Sequence, residues 1–316
     1  MRGRPQVEPG GDPHGVELRG IDRLRLEERP DRVAIIGAGA IGCEFASLLS
    51  DLGSEVHLLE LMEQILPGMD PDGAKVLARS FRKRGIQVQT GVEVGAPELG
   101  DAVKLKVADE SIEVDVVLVA VGRAPVTDGI GLETTKAEVD RGYIVVDSAT
   151  QMTAEPNVYA VGDLVAGTPQ LAHAGFAEGI AAITHIGTGS PAPVDYRAIP
   201  LVVYTHPEVA AVGLTAQQAV DSGLDVEETS HGFGGVGRAV IVGETQGTVK
   251  IIAEKGGPIV GATIAGPLAG ELIHELMYAV AWEALPTDAA AYIHAHPTIA
   301  EAVGETLLAS SGRSLH

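Results

Sequence analysis

The chain has 316 residues, 45% of them apolar, and a formal net charge of -21. That length supports a sizeable core spread over roughly two or three domains, while the acidic balance disfavours nucleic acid and anionic membranes as partners. A single cysteine, Cys43, excludes an intramolecular disulfide. No apolar run reaches the roughly 18 residues of a bilayer span, and the polar, Pro/Gly-rich start lacks a signal-peptide core, so a cytoplasmic protein is expected.

In chain order, the first organised element is the apolar run at 33–36, which reads as a buried parallel strand. Gly37-Ala38-Gly39-Ala40-Ile41-Gly42 leads from it into a helix over 43–52 that Gly53 stops, and a second strand follows at 55–60. A GxGxxG alone is a weak signal in a chain with 40 glycines. Between a strand and a helix it has a mechanism: Gly37 permits the tight turn, Gly39 lets backbone approach a pyrophosphate, and Gly42 packs helix on strand. The helix N-terminus then offers N–H groups and a positive dipole end to phosphate. Glu60 lies about 20 residues on, where a carboxylate accepts from a ribose 2'-OH and repels a 2'-phosphate, so NAD is expected rather than NADP.

The same pattern continues with a helix over 71–84, started by Asp70-Pro71 and stopped by Gly85, and a third strand at 87–90. A small antiparallel meander is expected at 103–107 and 111–114, then a buried strand over 116–121 that ends at Gly122-Arg123. A helix over 171–186 follows the Gly162-Asp163 turn, at which Asp163 alone would read equally well as an Asx turn or cap. From 194 onward the pattern gives antiparallel strands with a hairpin across Lys255-Gly256-Gly257, and helices near 215–222 and 269–283. Cys43, directly after the glycine loop, reads chiefly as a small packed residue, with a helix-terminus-activated thiol as the lesser alternative. His294 and His296 are spaced for one face of a strand without further nearby ligands, so no metal site is expected. Thr298 and Glu301 read as a capping box, in which Thr298 accepts from the Glu301 N–H and Glu301 reaches back.

Several segments together carry a family resemblance: Gly37-Ala-Gly-Ala-Ile-Gly-Cys-Glu44, Val121-Gly-Arg-Ala-Pro125, Asn157-Val-Tyr-Ala-Val-Gly-Asp163, Leu171-Ala-His173, Tyr204-Thr-His-Pro-Glu208 and His294-Ala-His-Pro-Thr-Ile-Ala-Glu301. From about residue 29 to 310 the chain resembles the C-terminal two-thirds of the dihydrolipoamide dehydrogenase family, the flavin-linked disulfide oxidoreductases that reoxidise lipoyl groups and reduce NAD. The resemblance implies that Glu44, Glu60, Gly122 and Val94 line the NAD site and that Asp163 holds the flavin ribityl chain. It places Gln170, Leu171, Ala172 and His173 near the isoalloxazine, with Arg123 beside Gly122 in the same motif. It makes His296 the general base toward a dihydrolipoyl thiol and Glu301 the carboxylate that orients its imidazole, a role that competes with capping; His294 is read as structural. Two departures, Val126 and Gly237-Arg238-Ala239, are expected to have local effects only.

The implied fold class is α/β: a remnant linker at 1–28, a Rossmann-type NAD-binding domain at 29–122, a central FAD-facing region at 123–193, and an α+β dimerisation domain at 194–316. In that family a preceding Rossmann unit binds the ADP half of FAD and carries the redox cysteine pair. The chain therefore reads as a C-terminal fragment or split half, a homodimer inactive alone, with an incomplete FAD site and a separately encoded FAD domain as candidate partner. Its linker is expected to be poorly ordered. The contrasting reading is a non-catalytic dimeric NAD-binding module, and a glutathione reductase-like NADPH enzyme is disfavoured by Glu60.

Overall fold

The structure, a computed structural model, describes residues 17–19, 28–100 and 102–313. The expected disorder of the first 28 residues therefore lies largely outside the described residues. Within that stretch, β1 (Glu17–Arg19) pairs in parallel with residues 117–119.

The first half follows from the strand-turn-helix pattern: β2 (Arg32–Ile36), α1 (Ala40–Asp51), β3 (Glu55–Leu59), α2 (Pro71–Lys83), β4 (Gln87–Gln89), then the antiparallel hairpin β5 (Val103–Val107) and β6 (Glu110–Val114), and β7 (Val116–Val119). The strands form a parallel sheet in the order β1-β7-β2-β3-β4. Val33, Ala34 and Ile35 are all buried because both faces are covered. Val33 and Ile35 meet Cys43, Ala46, Leu77 and Phe81 of α1 and α2, whereas Ala34 meets Val103, Leu105 and Val107 of the hairpin. β7 stops two residues short of the expected 121, since the chain turns outward there and leaves Val121 exposed.

Residues Arg123–Ile199 form a separate compact unit. It contains β8 (Val139–Asp140), β9 (Tyr143–Ile144) and α3 (Ala172–Thr188), with a small core of Ile144, Ala160 and Val165. Phe176, Ile180 and Ile183 stay exposed along α3.

Beyond Pro200 the chain rejoins the first unit. Here β10 (Leu201–Val203), β11 (Glu208–Gly213), α4 (Ala216–Asp221), β12 (Val226–Gly232), α5 (Gly237–Val242), β13 (Thr248–Glu254), β14 (Ile259–Gly266), α6 (Ala269–Ala281), α7 (Pro286–Ala289) and α8 (Glu301–Ser310) follow in turn. Their sheet is antiparallel in the order β10-β11-β14-β13-β12, and its core joins Ile251, Ile264, Ile273, Leu276, Val303 and Leu307.

A buried charge cluster ties this sheet to the nucleotide-binding half. Lys250 of β13 reaches Asp70 at 3.1 Å, Glu228 at 2.7 Å and also Asp72, while Asp70 accepts from the Asp72 N–H at 2.9 Å as the N-cap of α2. Burial alone would depress the ammonium pKa, but the bonds to Asp72, Glu228 and Asp70 outweigh it and hold the group above its ordinary range. Lys250→Met would leave Asp70, 1% exposed, without its cation, so a loss of about 3–5 kcal/mol is expected in chemical denaturation. Asp72, held below the usual carboxylate range by Lys250 and Lys75, contributes fully above about pH 4, and its share is lost as pH falls through the lowered folded value.

Candidate nucleotide and proton-transfer sites

The three loop glycines differ in what surrounds them, in the way the motif requires. Gly37 has φ +97°, and a Cβ there would lie 2.6 Å from the Ala120 carbonyl oxygen. At Gly42 a Cβ would lie 1.9 Å from the Gly37 oxygen, so the third glycine allows the helix to pack on the turn. A Cβ at Gly39 would meet nothing within 4 Å, and Gly39 caps α1 without a side-chain acceptor for the first-turn amides. This combination fits a pyrophosphate: two glycines forced by protein backbone and one facing a cradle.

Glu60 follows β3 and is 7% exposed. One carboxylate oxygen accepts from the Ala38 N–H at 2.6 Å and the other from the Met62 N–H at 2.9 Å. Its charge thus sits against the glycine loop, where it would also meet the adenosine ribose, and the remaining lone pairs are what a 2'-OH would use. Glu44 accepts from the Tyr204 N–H at 3.0 Å, pinning α1 to the segment after β10. Gly122 has φ +122° with open space at its Cβ position. Val94 is partly buried, bridges Val107 of the hairpin and packs in the cluster that holds Ala34 and Leu59. Cys43 is fully buried, donates to the Ala38 carbonyl at 3.3 Å, and has its thiol pKa pushed up by burial, so the activated-thiol alternative gives way to packing.

Within the unit from 123 to 199, Arg123 collects several of the expected flavin-facing residues. Its guanidinium pairs with Asp163 at 2.9 Å and donates to the Gln170 carbonyl at 2.8 Å, while Gln170 Nε2 donates to the Asp163 carbonyl at 3.2 Å. Asp163 remains 49% exposed, so it is a surface carboxylate beside a turn rather than a buried cap. Leu171 caps α3, whose first turn carries Ala172 and His173 exposed. The Gly162 N–H is held by the buried Glu178 carboxylate, which also accepts from Tyr196 at 3.0 Å. Sequence reasoning missed Glu178; its helical position facing a turn distant in sequence gave no local signal.

The terminal motif is a loop, not a strand, so the two histidines do not share a face. His296 is 77% exposed and its Nδ1 lies 2.8 Å from Glu301 Oε1, while His294 is 15% exposed and its Nε2 lies 2.7 Å from Glu275 Oε1. Next to an ionised carboxylate Nδ1 donates, which leaves the lone pair of His296 on the outward Nε2. The capping box forms only in half. Glu301 Oε2 accepts from the Thr298 N–H at 2.9 Å, but the Thr298 hydroxyl donates to the Ala295 carbonyl at 2.7 Å, because α8 begins at Glu301 with Ala300 as N-cap. The two roles of Glu301 consequently coexist, one on each oxygen. No group of three or more His, Cys, Asp or Glu side chains suited to a metal ion occurs among the described residues, and none of their helices is long and apolar enough to cross a membrane.

A parallel sheet with this glycine loop, joined to an antiparallel sheet on which the Glu301 helix packs, is the architecture of a dinucleotide-binding protein. Residues 4–179 match pyridine nucleotide-disulphide oxidoreductase and residues 199–307 match the dimerisation domain of the same group. The chain belongs to the pyridine nucleotide-disulphide oxidoreductase family. It is 40% identical to dihydrolipoyl dehydrogenase of Chlamydia muridarum over 93% of its own length and 63% of that protein's. With dihydrolipoyl dehydrogenase of Bacillus subtilis it shares 36% identity over 99% of its own length and 68% of the relative's. Among solved structures, LpdA from Mycobacterium tuberculosis superposes with a TM-score of 0.86 at 26% identity, covering 96% of this chain and 67% of LpdA. The flavoprotein disulfide reductase RclA from Escherichia coli gives the same TM-score of 0.86 and identity of 26%, over 96% of this chain and 71% of that one. The chain thus spans about two thirds of the length of these relatives.

Proposed function

We propose that the chain supplies the NAD site, the dimer contacts and the proton-transfer pair of a dihydrolipoyl dehydrogenase-type oxidoreductase, working as a homodimer with a flavin-bearing domain that carries the cysteine pair. The observation behind this reading is the His296–Glu301 pair at 2.8 Å, with an imidazole 77% exposed and turned toward solvent rather than toward this chain's own core. The sequence likeness to dihydrolipoyl dehydrogenases over 93% or more of the chain supports lipoyl thiols as the substrate class. The net reaction oxidises two lipoyl thiols to a disulfide and reduces NAD⁺ to NADH with release of a proton. FAD, when bound, relays the two electrons. His296 takes a thiol proton at Nε2, Glu301 holds the resulting imidazolium, and the Gly37–Glu60 region binds and orients the nucleotide.

The lone Cys43, buried in the core, supports placing the electron-accepting disulfide on another segment. Asp163, held by Arg123 and Gln170, would bind the ribityl part of FAD with residues 170–173 beside the isoalloxazine, and the ADP contacts would come from the added domain. The purified chain is accordingly expected to lack stoichiometric FAD and lipoamide turnover, and to gain both when mixed with a cysteine-bearing flavin domain. The exposed apolar residues Phe176, Ile180 and Ile183 of α3 are the surface we assign to that domain. Absorbance spectra and lipoamide-dependent NADH formation by the separate and mixed halves test this. A chain that is yellow and active alone would refute the division of labour, and a flavin-loaded but inactive complex would favour a non-catalytic NAD-binding dimer.

A further inference from the structure

We infer that His294, Glu275 and Gly304 form a clamp that positions His296, a role beyond the dyad itself and one that rests on the reading of His296 as the base. Ala290 and Ile299 are the core anchors on either side of the terminal loop, and between them only His294 and Thr298 are partly buried. His296 lies midway between these two attachments. Thr298 is fixed by Glu301, whose other oxygen holds His296. His294 is fixed twice: its Nε2 bonds Glu275 of α6 at 2.7 Å, and its ring lies against α8 where Gly304 has no side chain.

The glycine is what admits the ring. A Cβ at Gly304 would come within 2.5 Å of His294 Nδ1 and 3.0 Å of Cε1 and Cγ, and a rigid imidazole already bonded to Glu275 cannot fold away as a long aliphatic chain would. The clamp therefore joins α6, the loop and α8 at a point two residues before His296. Glu275 also draws the His294 pKa upward against the opposing effect of burial, with Glu301 adding to the rise. A loop held only by Thr298 and its hydroxyl bond to Ala295 would let the His296 ring rotate away from Glu301 and lose its fixed tautomer.

The test uses the full chain labelled with ¹⁵N-histidine, under conditions in which the His296 ring is neutral, and reads the ring nitrogens through long-range ¹H–¹⁵N correlation. The wild type should show His296 with its proton on Nδ1. His294→Ala and Gly304→Ala should collapse the separation of the two nitrogen shifts toward the tautomer average, with NAD affinity unchanged. Glu275→Gln, which keeps an acceptor for Nε2–H, should retain the wild-type pattern, and His294→Ala, which introduces no clash, carries the test if the glycine variant misfolds. In the flavin-complemented enzyme the first two should lower kcat by up to about 10²-fold with little change in KM for NAD, as for a displaced catalytic group. A wild-type tautomer pattern in both His294→Ala and Gly304→Ala would overturn the clamp while leaving the dyad standing. A wild type that already averages would overturn the dyad and the clamp with it.

Discussion

His296→Gln in the flavin-complemented enzyme should lower lipoamide-dependent turnover by about 10²–10⁴-fold, the usual contribution of a positioned general base. Glutamine preserves the polar character of the position and can still meet Glu301, but it has no basic nitrogen for a thiol proton. NAD binding should be unchanged, because the loop lies in the antiparallel half and the nucleotide loop in the parallel half. Glu301→Ala should cost less turnover, since the imidazole remains, yet it should also lower the melting temperature because the partly buried Thr298 N–H loses its acceptor. Steady-state rates at equal flavin loading check both. Normal turnover by His296→Gln would assign the motif to loop structure alone.

A second large effect is expected from separating two glycines of one motif. Gly39→Ala adds a methyl group where nothing lies within 4 Å, so the fold should tolerate it to within about 0.5 kcal/mol while NAD affinity falls by tenfold or more on the order of one lost close backbone contact. Gly42→Ala places its Cβ 1.9 Å from the Gly37 oxygen, which the turn cannot absorb without moving α1 off the sheet, and overpacking of this kind costs about 1–3 kcal/mol or more. Thermal unfolding and nucleotide titration on both variants give opposite profiles if Gly39 faces phosphate: stable but weak-binding for Gly39→Ala, unstable for Gly42→Ala. Equal binding by Gly39→Ala and the wild type would remove the loop from the nucleotide site.

What the sequence revealed and what it hid divide along the range of the interactions. The strand-turn-helix around Gly37 to Gly42 was legible because its causes are local: apolar runs, a left-handed φ at Gly37 and helix packing at Gly42. The Asp70 cap was legible for the same reason, and the Lys255-Gly256-Gly257 hairpin likewise. Lys250 reads in sequence as a strand residue of no special interest, because Asp70, its most buried partner, is 180 residues away. Glu178 and Glu275 were silent on the same grounds, each being a helix carboxylate that meets a distant turn or loop. The Thr298 capping box failed for a subtler reason. The sequence offered the residue spacing, but α8 starts later, so only the Glu301 half of the exchange has its geometry. At Glu60 the spacing located the carboxylate correctly beside the glycine loop, while its bonds to the Ala38 and Met62 amides depend on loop shape that no periodicity encodes.

The most direct measurement of the central claim is calorimetric titration of the intact chain with NADH and NADPH side by side. Glu60 lies against the glycine loop, where a ribose 2'-OH gains an acceptor and a 2'-phosphate meets a like charge, so NADH should bind and NADPH should bind at least tenfold more weakly, a difference of about 1.4 kcal/mol. Glu60→Gln should narrow that gap by removing the repulsion while keeping an oxygen for the Ala38 N–H. Binding of neither nucleotide, or equal affinity for both in the unmutated chain, would contradict the assignment of this chain as the NAD-binding part of the enzyme.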